Sequence, residues 1–220
     1  LDINYAAILG GINVNLASAT NQIVSANGSA ISGSVTGFEN VDLSGYTGSF
    51  GAMITSGSSA VAGTTANITG TANADQIVLS SGIDTVNFLA TNGADLISAF
   101  TAGAGKDVLE VSALDSDLNA ILKIATMAAD GSITSISGSA TASDVDVLIL
   151  LDTGLASASD ALTELDVSAA AVTDNDGAVV VFANTTTGNV EVYHNSDESA
   201  AAGTMTLVGS LVGVAITDLV

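Results

Sequence analysis

Apolar and polar residues alternate along several short segments of the chain. The clearest segments lie at residues 12–16 and 38–43, and the second is followed by Ser44 and Gly45. A period of two places the apolar side chains on one face of a strand, so both segments are predicted to be half-buried strands. The apolar run at residues 145–151 is interrupted only by Asp146 and predicts a buried strand.

The C-terminal part combines a predicted meander with two segments of helical spacing. Strands are expected at residues 178–183, 190–194 and 205–214, joined by a turn and a polar loop. Apolar residues from Leu114 to Ala125 recur at helical spacing, with Ser112 or Asp115 as the N-cap. A shorter helix is predicted at residues 156–165, capped by Ser157 or Ser159.

Four imperfect copies of a nine-residue unit cover residues 70–78, 79–87, 90–98 and 102–110. The sixth position is always aspartate and the eighth is always aliphatic. The fourth position is glycine in three copies and asparagine in the other. The aspartates are Asp75, Asp84, Asp95 and Asp107, and the fourth positions are Asn73, Gly82, Gly93 and Gly105.

Such a repeat predicts stacked turns, each of which contacts only its neighbours. The expected fold is therefore mainly β, with a degenerate parallel β-roll or β-solenoid at residues 1–112. A β-rich region with one or two short helices is expected at residues 113–220. Extra residues at 88–89 and 99–101 interrupt the nine-residue spacing, and they are expected to bulge out or to end the roll.

The charge balance limits the partners and suggests a cation. The chain has 23 acidic residues, two lysines and no arginine, with a formal net charge of −21. Nucleic acid and anionic membranes are excluded as partners, since both need basic residues. Carboxylates stacked about 4.8 Å apart repel by about 3 kcal/mol at an effective dielectric near 20. A hard divalent cation between the turns would remove that repulsion.

Calcium is the cation that these residues would suit. It accepts carboxylate and carbonyl oxygens in flexible geometry, whereas zinc prefers histidine or cysteine. The chain has one histidine and no cysteine. The alternative for each aspartate is that it caps its own turn without a metal.

The unit resembles the RTX, or haemolysin-type, calcium-binding nonapeptide, Gly-Gly-x-Gly-x-Asp-x-apolar-x. The resemblance implies that two nonapeptides form one turn of a parallel β-roll, and that aspartate carboxylates and glycine carbonyls bind calcium between turns. The implied ligands are Asp75, Asp84, Asp95, Asp107, Asn73, Gly82, Gly93 and Gly105. The leading glycine pair is complete in no copy, so we expect one or two occupied sites.

Other segments resemble proteins exported by type I secretion. Residues 37–41 resemble a segment that precedes such repeats, and residues 179–194 and 218–220 resemble the C-terminal region of those proteins. The chain begins at Leu1, so we expect it to be processed or a fragment. The resemblance implies a secreted protein, extracellular or at the cell surface, that folds where calcium is abundant.

The sequence gives no support for an enzyme. The Gly-x-Ser-x-Gly and His-Glu-x-x-His motifs are both missing, and His194 is the only histidine. Asp144, Asp146 and Asp152 form either a second cation site or, as we expect, a solvated face. No apolar run of about 18 residues occurs, so membrane insertion is not expected.

Two functions are therefore expected from the sequence. The first is a calcium-dependent structural protein, a surface-layer or surface-fibre subunit that self-assembles after type I secretion. Its partner is then itself, and cell-surface polysaccharide is a second candidate. The alternative is a C-terminal calcium-binding secretion and folding module of a larger exoenzyme or adhesin.

Overall fold

The chain divides into two compact units, Leu1–Val111 and Ser112–Val220. The computed structural model describes residues 10–57, 65–114, 124–128, 133–136, 146–167, 177–196 and 204–220. The division falls one residue before the boundary expected from the sequence.

The described part of the first unit consists of short strands. They are β1 (Ile12–Asn15), β2 (Ile23–Ala26), β3 (Ser29–Ala30), β4 (Val41–Asp42), β5 (Met53–Thr55), β6 (Thr65–Thr69), β7 (Gln76–Val78), β8 (Ile83–Asn87), β9 (Asp95–Ser98) and β10 (Val108–Glu110). From β4 onward, successive strands alternate between two parallel sheets. Sheet A has the order β10-β8-β6-β4, and sheet B includes β9-β7-β5-β1.

Aliphatic side chains from the inner faces of these sheets form the core. Seven of the strands contribute an aliphatic residue that is almost fully buried, because alternation turns every second side chain inward. These residues are Val41, Ile68 and Val86 in sheet A, and Val14, Ile54, Ile77 and Ile97 in sheet B. At the end of sheet B, β2 pairs antiparallel with β1. Strand β3 pairs antiparallel with β2 through a turn at Asn27 and Gly28, both with positive φ.

The residues inserted between repeats do not end the strand pairing, and the first insertion stays against the core. Phe88 is 1% exposed, and its N–H continues the ladder by donating to the Glu110 carbonyl. At the second insertion, Ala99 takes a positive φ of 61°, and β10 still pairs in register with β8. The expectation from the sequence was therefore wrong for residues 88–89, whereas Ala99 and Thr101 of the second insertion are exposed. Both insertions fall between strands, where added length leaves strand register unchanged.

The second unit is a mixed sheet with one packed helix. Its described elements are β11 (Ile124–Met127), β12 (Ile133–Ile136), β13 (Val147–Leu150), α1 (Ala158–Val167), β14 (Ala178–Ala183), β15 (Val190–Asn195), β16 (Met205–Val212) and a 3-10 helix (Ile216–Leu219). Strands β11, β13 and β14 are parallel, while β14, β15 and β16 form the antiparallel meander that the sequence predicts.

Helix α1 covers the second sheet with Ala161 and Leu165, which are buried with Leu150 and Phe182. Its N-cap is Ser157, whose hydroxyl accepts from the Asp160 N–H and donates to the Asp160 carboxylate. This helix is therefore confirmed.

The other predicted helix, from Leu114 to Ala125, has a different outcome. Residues 115–123 lie outside the described residues. Ile124 and Ala125 belong to β11 and pair with β13, so the helical prediction is wrong at these two positions. Apolar residues at helical spacing also fit a buried strand over so short a segment.

Candidate metal site: the aspartate ladder

The four repeat aspartates lie at the beginnings of strands β7 to β10, and together we call them the aspartate ladder. Asp75, Asp84, Asp95 and Asp107 are 1%, 1%, 2% and 6% exposed. Strand register places Asp75 beside Asp95 in sheet B and Asp84 beside Asp107 in sheet A. Repeats one and three are therefore neighbours, and so are repeats two and four.

Each step of the ladder is closed by a hydrogen bond between neighbouring strands. Asp95 Oδ1 accepts from the Asp75 N–H at 2.9 Å, and Asp107 Oδ1 accepts from the Asp84 N–H at 2.8 Å. Asp75 Oδ1 accepts in the same way from the Ala52 N–H at 2.6 Å, across the step to β5. The carboxylates thus join successive strands at the point where each strand begins.

The first two aspartates also close their own turns. Asp75 accepts from the N–H and the hydroxyl of Thr71, at 2.6 and 2.8 Å. Asp84 accepts from the N–H and the hydroxyl of Ser80, at 2.8 and 3.0 Å. Both partners lie four residues before their aspartate, so one local geometry serves both repeats. Asp84 also accepts from the Ser56 hydroxyl at 2.6 Å.

The last two aspartates use different donors, because insertions change the preceding turns. Asp95 Oδ2 accepts from the Asn92 side-chain amide at 2.9 Å. Asp107 Oδ2 accepts from the Thr101 N–H at 2.7 Å. Every carboxylate in the ladder is therefore bonded both to its own turn and to another segment. The signal missed in the sequence was the hydroxyl residue four positions before Asp75 and Asp84.

Burial makes the negative charge of Asp75 and Asp95, the sheet B pair, unfavourable. Burial raises the pKa of Asp75, although its hydrogen bonds with Ala52 and Thr71 act in the opposite direction. Burial and then the negative charge of Asp75 raise the pKa of Asp95 to about 7. Near neutral pH, this pair therefore gains from any proton or cation that reduces its negative charge.

The four residues at the fourth repeat position shape turns. A Cβ on Gly93 would overlap the backbone of Asn73 and Ala74, so glycine allows two turns to approach closely. Asn73 donates from its side-chain amide to the Gly48 carbonyl at 3.0 Å. Gly82 donates its N–H to the Ser80 hydroxyl at 3.0 Å, and Gly105 has a φ of 71°.

The groups around the ladder carboxylates bear on whether calcium could bind there. Calcium takes six to eight oxygen ligands, usually several carboxylates together. In the described residues, no group of three or more histidine, cysteine, aspartate or glutamate side chains could hold a metal ion. The ladder carboxylates face N–H and O–H donors, which already stabilise their charge. The described residues therefore form no cluster of three carboxylates around the ladder, and calcium binding there stays a prediction.

The remaining polar residues named from the sequence do not converge on one site. Asp146 is 5% exposed, so the expectation of a solvated face is wrong for it, because its segment enters the buried strand β13. Asp152 accepts from the Gly154 N–H at 2.9 Å in a local turn. Asp144 lies outside the described residues. His194 is half-buried on β15, paired in register with Val179 and Thr206.

A further buried carboxylate, which the sequence did not indicate, lies on β15. Glu191 is 3% exposed and accepts from the Tyr193 hydroxyl at 2.8 Å, the Asn184 amide at 2.9 Å and the Thr187 hydroxyl at 3.0 Å. Burial and this hydrogen bond raise the pKa of Tyr193 well above its usual range. The Tyr193 ring stacks on Phe182 with centroids 5.4 Å apart, so this cluster holds β14 and β15 of the meander together.

Comparisons with protein-family models, with curated proteins and with solved structures found no match to this chain. Across the described ranges, no helix has the length and apolar character needed to cross a membrane. The chemistry of the ladder follows from its geometry alone. Its carboxylates are enclosed by the turns they join, which suits a role in holding backbone segments together.

Proposed function

We propose that this chain is an extracellular structural protein, a surface-layer or surface-fibre subunit that assembles with copies of itself. The observation that carries the proposal is the aspartate ladder. Its four acidic side chains are buried and accept hydrogen bonds from backbone and side-chain donors of their turns. The charged groups of the repeat therefore hold the fold together. An enzyme would need such groups to face a substrate.

The alternation of β4 to β10 between two parallel sheets supports a degenerate β-roll as the fold of the first unit. In such a roll, every second strand returns to the same sheet one position further along. The register of Asp75 beside Asp95, and of Asp84 beside Asp107, fits two repeats per turn, as the RTX resemblance implies. A stack of this kind is a rigid spacer, which suits a surface assembly.

The proposed route to the surface is type I secretion. Its support is the resemblance at residues 37–41 and 218–220 together with the repeats. Calcium dependence is a separate part of the proposal. Its support is the sheet B pair, Asp75 and Asp95, where two adjacent buried carboxylates would gain from a nearby cation.

The test is assembly of the purified chain with calcium or with EDTA, followed by light scattering and negative-stain electron microscopy. Sheets or fibres in either condition support the structural function. A chain that stays monomeric at all concentrations in both conditions contradicts it and favours the secretion module. Calcium dependence has its own readout, since a ligand that binds only the native state must raise the melting temperature. An unchanged melting temperature removes calcium but leaves the structural function standing.

A further inference from the structure

The outer face of sheet B carries a row of uncharged residues across five strands. Register aligns Ser25, Asn13, Met53, Gln76 and Leu96, on β2, β1, β5, β7 and β9. Their strand neighbours Ile54, Ile77 and Ile97 point inward and are buried, so this row points outward. Met53 and Leu96 are 47% and 43% exposed.

A second row lies beside the first, two residues further along each strand. Asn15, Thr55, Val78 and Ser98 occupy it, again without a charge, and Val78 is 41% exposed. At about 4.8 Å per strand, the face is about 19 Å wide. The edges of the face are therefore about one Debye length, roughly 8–10 Å at physiological salt, from its centre. Charges beyond the edges are largely screened at the centre.

The opposite sheet has a different outer face. There the row that follows the buried residues runs through Asp42, Thr69, Asn87 and Glu110, so a carboxylate lies at each end. Exposed apolar residues occur there too, and Val108 is 46% exposed. The two faces therefore match in exposure but differ in charge, which makes sheet A an internal control.

The distribution of acidic residues makes the sheet B face distinctive. The formal charge of the chain is −21, yet only eight of its 23 acidic residues precede Ser112, and four of those eight are in the buried ladder. Two copies of so acidic a chain repel through most of their surface. They can approach with the least repulsion through a neutral face, and a neutral mixture of amide, hydroxyl and aliphatic groups is complementary to itself.

We infer that the outer face of sheet B is a contact between copies of this chain, an inference that rests on the proposed function. The face is smaller than the roughly 800 Å² per partner of a standard stable interface. One such contact is weak, and it acts when repeated through an assembly. Polysaccharide is the less suitable occupant, because neither row contains an aromatic ring on which a sugar could stack.

The experiment compares Val78→Glu with Val108→Glu, two equivalent substitutions on strands with similar exposure. The critical concentration for assembly is measured by light scattering and sedimentation, without polysaccharide, and circular dichroism checks folding. We expect Val78→Glu to raise the critical concentration at least about tenfold, since like charges opposed across a contact cost several kcal/mol. Val108→Glu should leave it within about twofold of the wild-type value. Gln76→Glu, which preserves shape, replaces Val78→Glu if the latter misfolds.

A charge-reversal mixture gives the second readout. Equal amounts of Val78→Glu and Val78→Lys should assemble at a lower concentration than either variant alone. Equal effects of Val78→Glu and Val108→Glu would overturn the contact while leaving self-assembly intact. Assembly that requires added polysaccharide would also overturn it, in favour of a polysaccharide contact. Failure of the wild-type chain to assemble at all would instead refute the proposed function.

Discussion

Replacement of Asp75 by alanine is the perturbation that most exposes the role of the ladder. The Asp75 carboxylate accepts from the N–H groups of Ala52 and Thr71 and from the Thr71 hydroxyl, all of which are buried. Asp75→Ala leaves the two N–H groups without this acceptor, whereas the hydroxyl can rotate. It therefore removes one bond between strands and one closing bond of a turn.

The expected loss of unfolding free energy follows from the two N–H groups that lose their acceptor. A buried donor that loses its partner costs about 1–3 kcal/mol, so two give about 2–6 kcal/mol. Removing the carboxylate also relieves its desolvation, the cause of its raised pKa, which moves the expected loss toward about 2–4 kcal/mol. That is a large fraction of a typical unfolding free energy of about 5–15 kcal/mol.

The matched control is Asp42→Ala in the same unit. Asp42 is exposed and, among the described residues, accepts from the nearby Ser44 N–H at 2.9 Å, a bond that water can replace. We expect a loss of about 0.5 kcal/mol. Denaturant-dependent hydrogen exchange, read by mass spectrometry on peptides covering residues 65–98, assigns the free energy to the first unit.

EDTA is present throughout, so that a loss caused by a missing calcium ligand does not contribute. Equal losses for Asp75→Ala and Asp42→Ala in EDTA would refute the reasoning. A loss for Asp75→Ala that appears only with calcium would refute it as well.

Three further outcomes are expected. The pKa of Asp95 is about 7 in the folded chain and near 3.8 unfolded, so its proton favours folding. Stability should fall by up to about 4 kcal/mol as pH rises from 4 to 8, measured by urea titration, and Asp95→Asn should flatten that dependence. Gly93→Ala should lower the melting temperature clearly more than Gly82→Ala, because only the first Cβ would meet backbone atoms. Tyr193→Phe should cost about 1–3 kcal/mol in chemical denaturation by depriving Glu191 of a donor; no change would remove the Glu191 cluster as a lock.

The meander strands of the second unit could be predicted because their signal is local. Residues 178–183 and 190–195 are apolar or alternating, with a polar turn between them, and the meander needs nothing more. The hairpin of β2 and β3 was equally local but was missed. Asn27 and Gly28 form the two-residue turn that most strongly indicates a hairpin, and both take the positive φ that it requires.

The positions of the ladder aspartates could also be predicted, but their hydrogen-bond partners on other strands could not. Register between β7 and β9 is a long-range property, set once the chain alternates between two sheets. Only then does the Asp95 carboxylate meet the Asp75 N–H. The Ala52 N–H could not be identified in advance at all, because Ala52 lies outside the repeats and is related to Asp75 by register alone.

At residues 114–125, by contrast, a local pattern gave a prediction that was wrong at its end. Ile124 and Ala125 fit a helical pattern, yet they pair with Val147 and Leu148 in the parallel part of the second sheet. Over so short a segment, the spacing of apolar residues does not separate a strand from a helix. The sheet partner then decides the structure, and that partner lies more than twenty residues away along the chain.

Amide hydrogen exchange at Asp75 and Asp84, measured by NMR in EDTA, tests the central claim most directly. These two N–H groups donate to the carboxylates of Asp95 and Asp107 across successive turns. We predict that both amides are protected to a degree comparable with those of Ile77 and Val86 within the strands. Exchange at the rate of an unstructured amide, or protection that appears only after calcium is added, would contradict a ladder built from hydrogen bonds.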